Sequence, residues 1–177
     1  MNLQPILVES LSQATFQVFS TMLGVEIVRG EVTIEDGRQE GNDGVVSFIG
    51  LAGEWAGTGS LSCSPVLACR ICAAMLMCEA TVVNEEVLDA VAELTNMIIG
   101  SVKTDMEAHV GPLGLSIPTV VFGRNFRTKS AGSSEWTVVK FHWEDETLQA
   151  KICMAPSGRA SHVMLHSGGA PACALDV

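Results

Sequence analysis

Basic residues are scarce in this chain. Ten Lys and Arg stand against 20 Asp and Glu over 177 residues, a formal net charge of −10. Such a surface repels phosphate backbones and anionic lipid, which speaks against nucleic-acid and membrane-surface roles. No apolar run reaches the roughly 18 residues of a membrane span. The opening MNLQPILVESLSQATF lacks the basic stretch and apolar core of a secretory signal, so a cytoplasmic protein is expected. A GxxxxGK-type phosphate loop is missing. So is any neighbouring Ser–His or Cys–His pair that would suggest a nucleophile with its base. No internal repeat is evident and no linker splits the chain. With 47% hydrophobic residues the composition is that of one folded domain rather than a disordered chain.

Six cysteines stand at 63, 69, 72, 78, 153 and 173. Cys69 and Cys72 form a CxxC, a spacing that invites a redox or zinc reading. They lie inside 65-PVLACRICAAMLM-77, a helical pattern opened by Pro65. A redox CxxC belongs at a helix N-terminus, where the dipole lowers the thiol pKa. A zinc site needs a second ligand pair, and Cys153 with Cys173 is not one. Free, buried thiols acting as small apolar residues are expected. His162 and His166, four apart in a Gly/Ser/Ala/Pro-rich stretch, are two ligands and not a metal site. No metal site is expected on this chain.

Hydrophobic periodicity predicts an amphipathic helix over 3–22, with Leu3, Leu7, Leu11, Ala14, Val18 and Met22 on one side. A strand over 25–35 follows, and the acid- and Gly-rich 35–44 reads as a loop or hairpin connection. Residues 45–51 and 55–64 read as a strand pair joined by 52-AGE-54. A helix over 65–77 leads through 81-TVVNEE-86 into a helix from 85 to about 108, with Asn84 as N-cap. After a turn-rich 110–118 come strands at 119–123, 136–143 and 147–155, the last two joined by 144-EDE-146. Thr137, Val139, Phe141 and Trp143 share one face, and Leu148, Ala150, Ile152 and Met154 share a face of the partner. Helix, strands, helices, strands is the order of an α+β fold, an antiparallel sheet covered by helices. The domain spans 1–155, and 156–177 reads as a C-terminal tail, mobile by expectation.

One helix puts polar groups where its pattern is otherwise apolar: 89-DAVAELTNMIIG-100. At about 100° per residue, Glu93 falls about 40° from Asp89 and Asn96 about −20°. Gly100 falls about 20° away and Lys103 about −40°. Val87, Leu88, Val91, Leu94, Ile98, Ile99 and Val102 take the opposite side. A solvated face is the ordinary explanation for such a stripe. It leaves two residues unexplained. Asn competes with the helix backbone, and Gly costs about 1 kcal/mol relative to Ala. A bare glycine in line with Glu93 and Asn96 lets another surface come close, so the face reads as a docking surface. A carboxamide can orient water without moving a proton, and phosphoryl transfer asks mainly for such positioning.

The stretch resembles the signature of the CheX/CheC/FliY chemotaxis phosphatases: Asp or Ser, three residues, Glu, two residues, Asn, then twenty-one residues and Pro. Asp89, Glu93, Asn96 and Pro118 fill all four positions, with 97–117 as the spacer. The segments 20-STMLGVE-26, 45-VVSFIGLAGEWAGTGSLSCS-64 and 117-IPTVVFG-123 are also similar to CheX-type chains, so that the resemblance covers roughly 5–155. It implies a CheC-like single domain and a phosphatase acting on the aspartyl phosphate of a CheY-like response regulator. It implies that Asn96 positions the attacking water and that Glu93 docks on the regulator's lysine. Asp89 would dock at the edge of the face, and Pro118 would be structural; Gly100 and Lys103, on the same face by spacing, complete the expected docking residues. The regulator would carry the Mg²⁺, and this chain would bind no cofactor. CheC-type members carry two motifs. Here Glu9 in the first helix is followed three later by Ser12, so one site per chain is expected, in a homodimer formed by sheet edges. Two other readings stay open. One is a module of the same fold that docks a regulator without hydrolysis. The other is an unrelated domain whose Cys-rich helix binds metal.

Overall fold

The computed structural model describes residues 3–36, 40–128 and 135–157. Helix α1 (Gln4–Val18) has Pro5 in its first turn, where a missing N–H costs no hydrogen bond. It buries Leu7, Leu11, Ala14 and Val18. It then continues as one π-helical turn, Phe19–Leu23, that ends on Gly24 in the left-handed region at φ 68°. The wider turn changes the predicted stripe. Leu23, five residues after Val18, is buried, whereas Met22 is 48% exposed. A period of 3.6 had placed Met22 inside, and the inserted residue rotates it out.

Strands β1 (Val28–Asp36), β2 (Glu40–Gly53), β3 (Trp55–Cys63), β4 (Leu113–Leu115), β5 (Thr119–Thr128), β6 (Glu135–Trp143) and β7 (Glu146–Pro156) form one antiparallel sheet. The order is β1-β6-β7-β3-β2, with β4 and β5 both pairing β2. The β6–β7 hairpin stands where the alternation put it, in the register Thr137↔Ile152, Val139↔Ala150, Phe141↔Leu148. The β2–β3 pair is also present, but β2 begins at Glu40, inside the stretch predicted as a connection, because its first residues pair β5. The hairpin alternative for 35–44 does not hold. Strands β6, β7 and β3 lie between β1 and β2, and β1 pairs β6, about a hundred residues away. Local turn chemistry carries no information about so distant a partner. The connection predicted over 110–118 contains β4, and the strand predicted over 119–123 runs on to Thr128.

Helix α2 (Pro65–Leu76) is capped by Ser64, whose Oγ accepts from the Leu67 N–H at 3.0 Å. Helix α3 (Glu85–Val110) is capped by Asn84, whose Oδ1 accepts from the Val87 N–H at 3.0 Å. The three helices share one core with the inward residues of the sheet, among them Val45, Ile49, Leu61, Phe141, Leu148 and Ile152. This is the α+β layering that the element order predicts. Gly59 on β3 sets the closest approach: a Cβ there would stand 2.7 Å from the Ile99 side chain of α3. A second, small cluster of Trp136, Val138 and Cys153 lies on the opposite face of the sheet. Strand alternation on β6 had marked only one face as apolar. No helix among the described residues is long and apolar enough to cross a membrane. The predicted tail falls almost wholly in 158–177, outside the described residues.

Ser47 interrupts the inward row of β2 between Val45 and Ile49. Its hydroxyl is fully buried and has no hydrogen-bond partner among the described residues. An orphaned buried hydroxyl costs about 1–3 kcal/mol. Ser47→Ala is expected to raise stability by about 1 kcal/mol, seen as a rise in melting temperature of about 2–4 °C. A fall would show that the hydroxyl is satisfied in solution.

Candidate functional site

Ten residues of α3 are buried: Val87, Ala90, Val91, Leu94, Thr95, Ile98, Ile99, Val102, Met106 and Val110. They fix how the helix is rolled on the sheet and so turn Asp89, Glu93 and Asn96 outward. All three are exposed. Their side chains make no hydrogen bond or ion pair with any described residue. At about 1.5 Å per residue, Glu93 and Asn96 are about 4.5 Å apart along the axis. The backbone of the face is set by the packing behind it, and its side chains are open to solvent and to a partner.

Gly100 continues the face. A Cβ there would meet only Leu115 Cδ1, at an ordinary 3.8 Å. Nothing among the described residues requires a glycine at this position. The same contact brings the end of β4 alongside α3, and half-buried Pro118 closes the β4–β5 connection next to Ile117, which is 88% exposed. All four signature positions thus lie on α3 or on the connection beside it.

Lys103, placed by the sequence at the edge of the docking face, has an internal partner. Its Nζ lies 2.8 Å from Glu107 Oε1 in an i,i+4 ion pair. The same carboxylate oxygen accepts the Leu113 N–H at 2.9 Å. Glu107 thereby ties the end of α3 to the start of β4 and holds the connection that leads to Pro118. The Leu113 N–H and the Lys103 ammonium together hold its carboxyl below the usual 4.5. Sequence reasoning missed Glu107, although the Lys103/Glu107 spacing is a helix ion-pair signal.

The CxxC thiols are inside the protein. Cys69 is 7% exposed and Cys72 fully buried. Burial pushes Cys72 up to about 11, helped by the neighbouring Cys78 thiol, and Cys63 up to about 12. A protonated, enclosed thiol is a poor nucleophile and a poor metal ligand. Among the described residues no group of three or more His, Cys, Asp or Glu comes together as a metal site. His162, His166 and Cys173 lie outside the described residues.

Two outcomes follow. Gly100→Ala should stabilise the isolated chain, by up to about 1 kcal/mol, because it removes a helix-breaking residue without a clash. A loss of stability in chemical denaturation would mean that the glycine serves internal packing. Glu107 stabilises the fold at neutral pH because its folded pKa is depressed, and that stabilisation is lost as pH falls from 4.5 through the lower folded value. Glu107→Gln should therefore melt lower at neutral pH and show a shallower loss of melting temperature on acidification. Parallel pH profiles for the two proteins would contradict this.

The family model of the chemotaxis phosphatase CheX matches residues 45–142, which include the whole of α3 and the β4–β5 connection. No curated protein matches the chain. Among solved structures it is similar to a CheC-like superfamily protein from Shewanella sp. PV-4, with 25% identity and a TM-score of 0.75 over 88% of this chain and 99% of that one. The chemotaxis protein CheX from Vibrio vulnificus shares the fold, with 24% identity and a TM-score of 0.74 over 84% and 99%. The CheX of a CheX–CheY–BeF₃–Mg²⁺ complex from Borrelia burgdorferi is 25% identical, with a TM-score of 0.65 over 83% and 96%. With the signature intact on α3, the fold shared and the family model covering more than half of its residues, the chain belongs to the CheX family of chemotaxis phosphatases.

Proposed function

We propose that this chain removes the phosphoryl group from the phosphorylated aspartate of a CheY-like response regulator. The observation that carries the reading is the face of α3. Glu93 and Asn96 are exposed, without a partner among the described residues, and held in fixed relation by a helix whose other side is buried. The similar CheX that occurs in complex with CheY supports the choice of partner.

The chemistry asks little of this chain beyond position. In a loose phosphoryl-transfer transition state the attacking water needs alignment more than deprotonation. The Asn96 carboxamide accepts from and donates to that water and points its oxygen at phosphorus, opposite the aspartate. A bond forms from water to phosphorus, the phosphorus–oxygen bond to the aspartate carboxylate breaks, and the proton of the water leaves with inorganic phosphate. A divalent cation held by the regulator neutralises the phosphoryl oxygens. Glu93 pairs with the regulator's lysine and fixes the register in which Asn96 enters. Asp89 extends the docking edge, and Gly100 lets the partner backbone close on the helix. Lys103 takes part through Glu107, by keeping the flank of the face in place.

The exposed edge of β1 suits pairing between copies. It carries Val28, Val32 and Ile34 at 68%, 39% and 51% exposure, and among the described residues only β6 pairs with it. A homodimer through this edge is part of the proposal.

The test is phosphate release from Mg²⁺-loaded, phosphorylated receiver domains. Wild type should accelerate it on at least one receiver. Asn96→Ala should lose about 100-fold or more in kcat with an unchanged melting temperature. Glu93→Ala should raise KM by about 10-fold, near 1.4 kcal/mol, with a smaller change in kcat. Tight binding to a receiver without faster release would replace the phosphatase with a docking module.

A further inference from the structure

A groove of about 840 Å³ runs between the end of α2 and the start of α3. Met75, Leu76 and Ala90 give it an apolar floor, and Glu85, Glu86, Asp89 and Glu93 line its rim. The floor is open to solvent: Leu76 is 48% exposed, and Met77, the next residue, 93%. Met77 ends α2 in the left-handed region at φ 51°, a place that favours glycine or asparagine. A large apolar side chain held there in full contact with water is unfavourable for the isolated chain. Exposed apolar surface beside a groove marks a site of contact, and methionine adapts to irregular partners.

The rim adds a sign. Glu85 and Glu86 lie in the first turn of α3, where the helix dipole explains a carboxylate. Asp89 and Glu93 lie beyond that turn. None of the four carboxylates is paired with a cation among the described residues. The occupant must bring apolar side chains for the floor and Lys or Arg for the rim. Glu93 belongs both to the groove and to the face that carries Asn96, so the two surfaces are continuous.

We propose that this groove is a second docking point for the response regulator and selects which regulator is dephosphorylated. A basic, amphipathic surface element of the receiver seats against Leu76 and Met77 while Asn96 meets the phosphoryl group. The inference rests on the phosphatase reading above and adds to it the chemistry of the preferred partner. It separates specificity from catalysis: the groove acts on KM and Asn96 on kcat.

The test compares wild type, Leu76→Asp and Met77→Asp on the receiver that wild type dephosphorylates fastest. Both positions are exposed, so melting temperatures should stay close to wild type. The expected result is a KM raised about 10-fold or more with kcat held within about twofold. The wild-type KM should also rise with ionic strength, and less so in Glu85→Gln/Glu86→Gln. The conservative Leu76→Met should keep the wild-type KM. Unchanged KM in both Asp variants, with wild type still active, overturns the groove and leaves the phosphatase reading standing. If wild type accelerates no receiver, the phosphatase reading fails. The groove is then judged by binding of beryllofluoride-loaded receivers, where an equal Kd for wild type and Leu76→Asp overturns it and a weakened Kd upholds it. A change of sedimenting species from dimer to monomer in Leu76→Asp would assign the groove to a second copy of this chain and also overturn the proposal.

Discussion

The roll of α3 on the sheet is the constraint from which the rest of the site follows. Its apolar side sinks into a core shared with α1, α2 and the inward rows of the strands. Each large side chain on that side loses about 1.5–3 kcal/mol if it is turned to water. Rotating the helix to hide Glu93 or Asn96 would expose several of them at once. Ile99 is seated above Gly59, with no space for a Cβ between them. A carboxylate and a carboxamide are thus held outward without hydrogen bonds to any described residue, because their positions are set by what lies behind them. Such a face is preorganised for a partner at little cost to its own stability.

The division of labour is consistent with the chemistry. A site that must create a nucleophile needs a base, a metal or a depressed pKa, and none of the described side chains on this face provides one. A site that only aligns water needs a fixed amide and an unhindered approach. Gly100 provides the approach and lowers helix stability in doing so. Glu107 provides the flank by joining Lys103 to the backbone of β4. The net charge of −10 opposes docking on an acidic receiver at long range, while the carboxylates around the groove and face favour basic groups at contact. Screening within about 10 Å at ordinary salt leaves the contact term in control.

What was legible in the sequence was local. The start of α2 at Pro65, the cap Asn84, the β2–β3 and β6–β7 hairpins and the polar face of α3 all depend on residues a few positions apart. For each of them spacing and side-chain chemistry sufficed. The signature added Pro118, which no periodicity would have selected. The rest depends on contacts between distant parts of the chain. The place of β1 beside β6 follows from packing over about a hundred residues. The π-helical turn that expels Met22 inserts one residue into a regular pattern and has no compositional mark. The groove needs the end of α2 and the start of α3 side by side, and its floor reads in sequence as the ordinary end of an apolar helix. Glu107 was hidden for a related reason. Half of its role, the Leu113 N–H, lies beyond the helix to which its ion pair belongs.

The central claim is that a neutral carboxamide at position 96 acts by orientation alone. Asn96→Asp preserves the shape of the side chain and replaces the amide with a carboxylate that could serve as a base. The most direct measurement is the rate of phosphate release from a phosphorylated receiver by this variant beside wild type, with binding of both proteins measured on the same receiver. The account predicts a rate at least about 100-fold below wild type across neutral pH. A variant that retained the wild-type rate would show that the reaction does not depend on the neutral carboxamide at this position, and would contradict it.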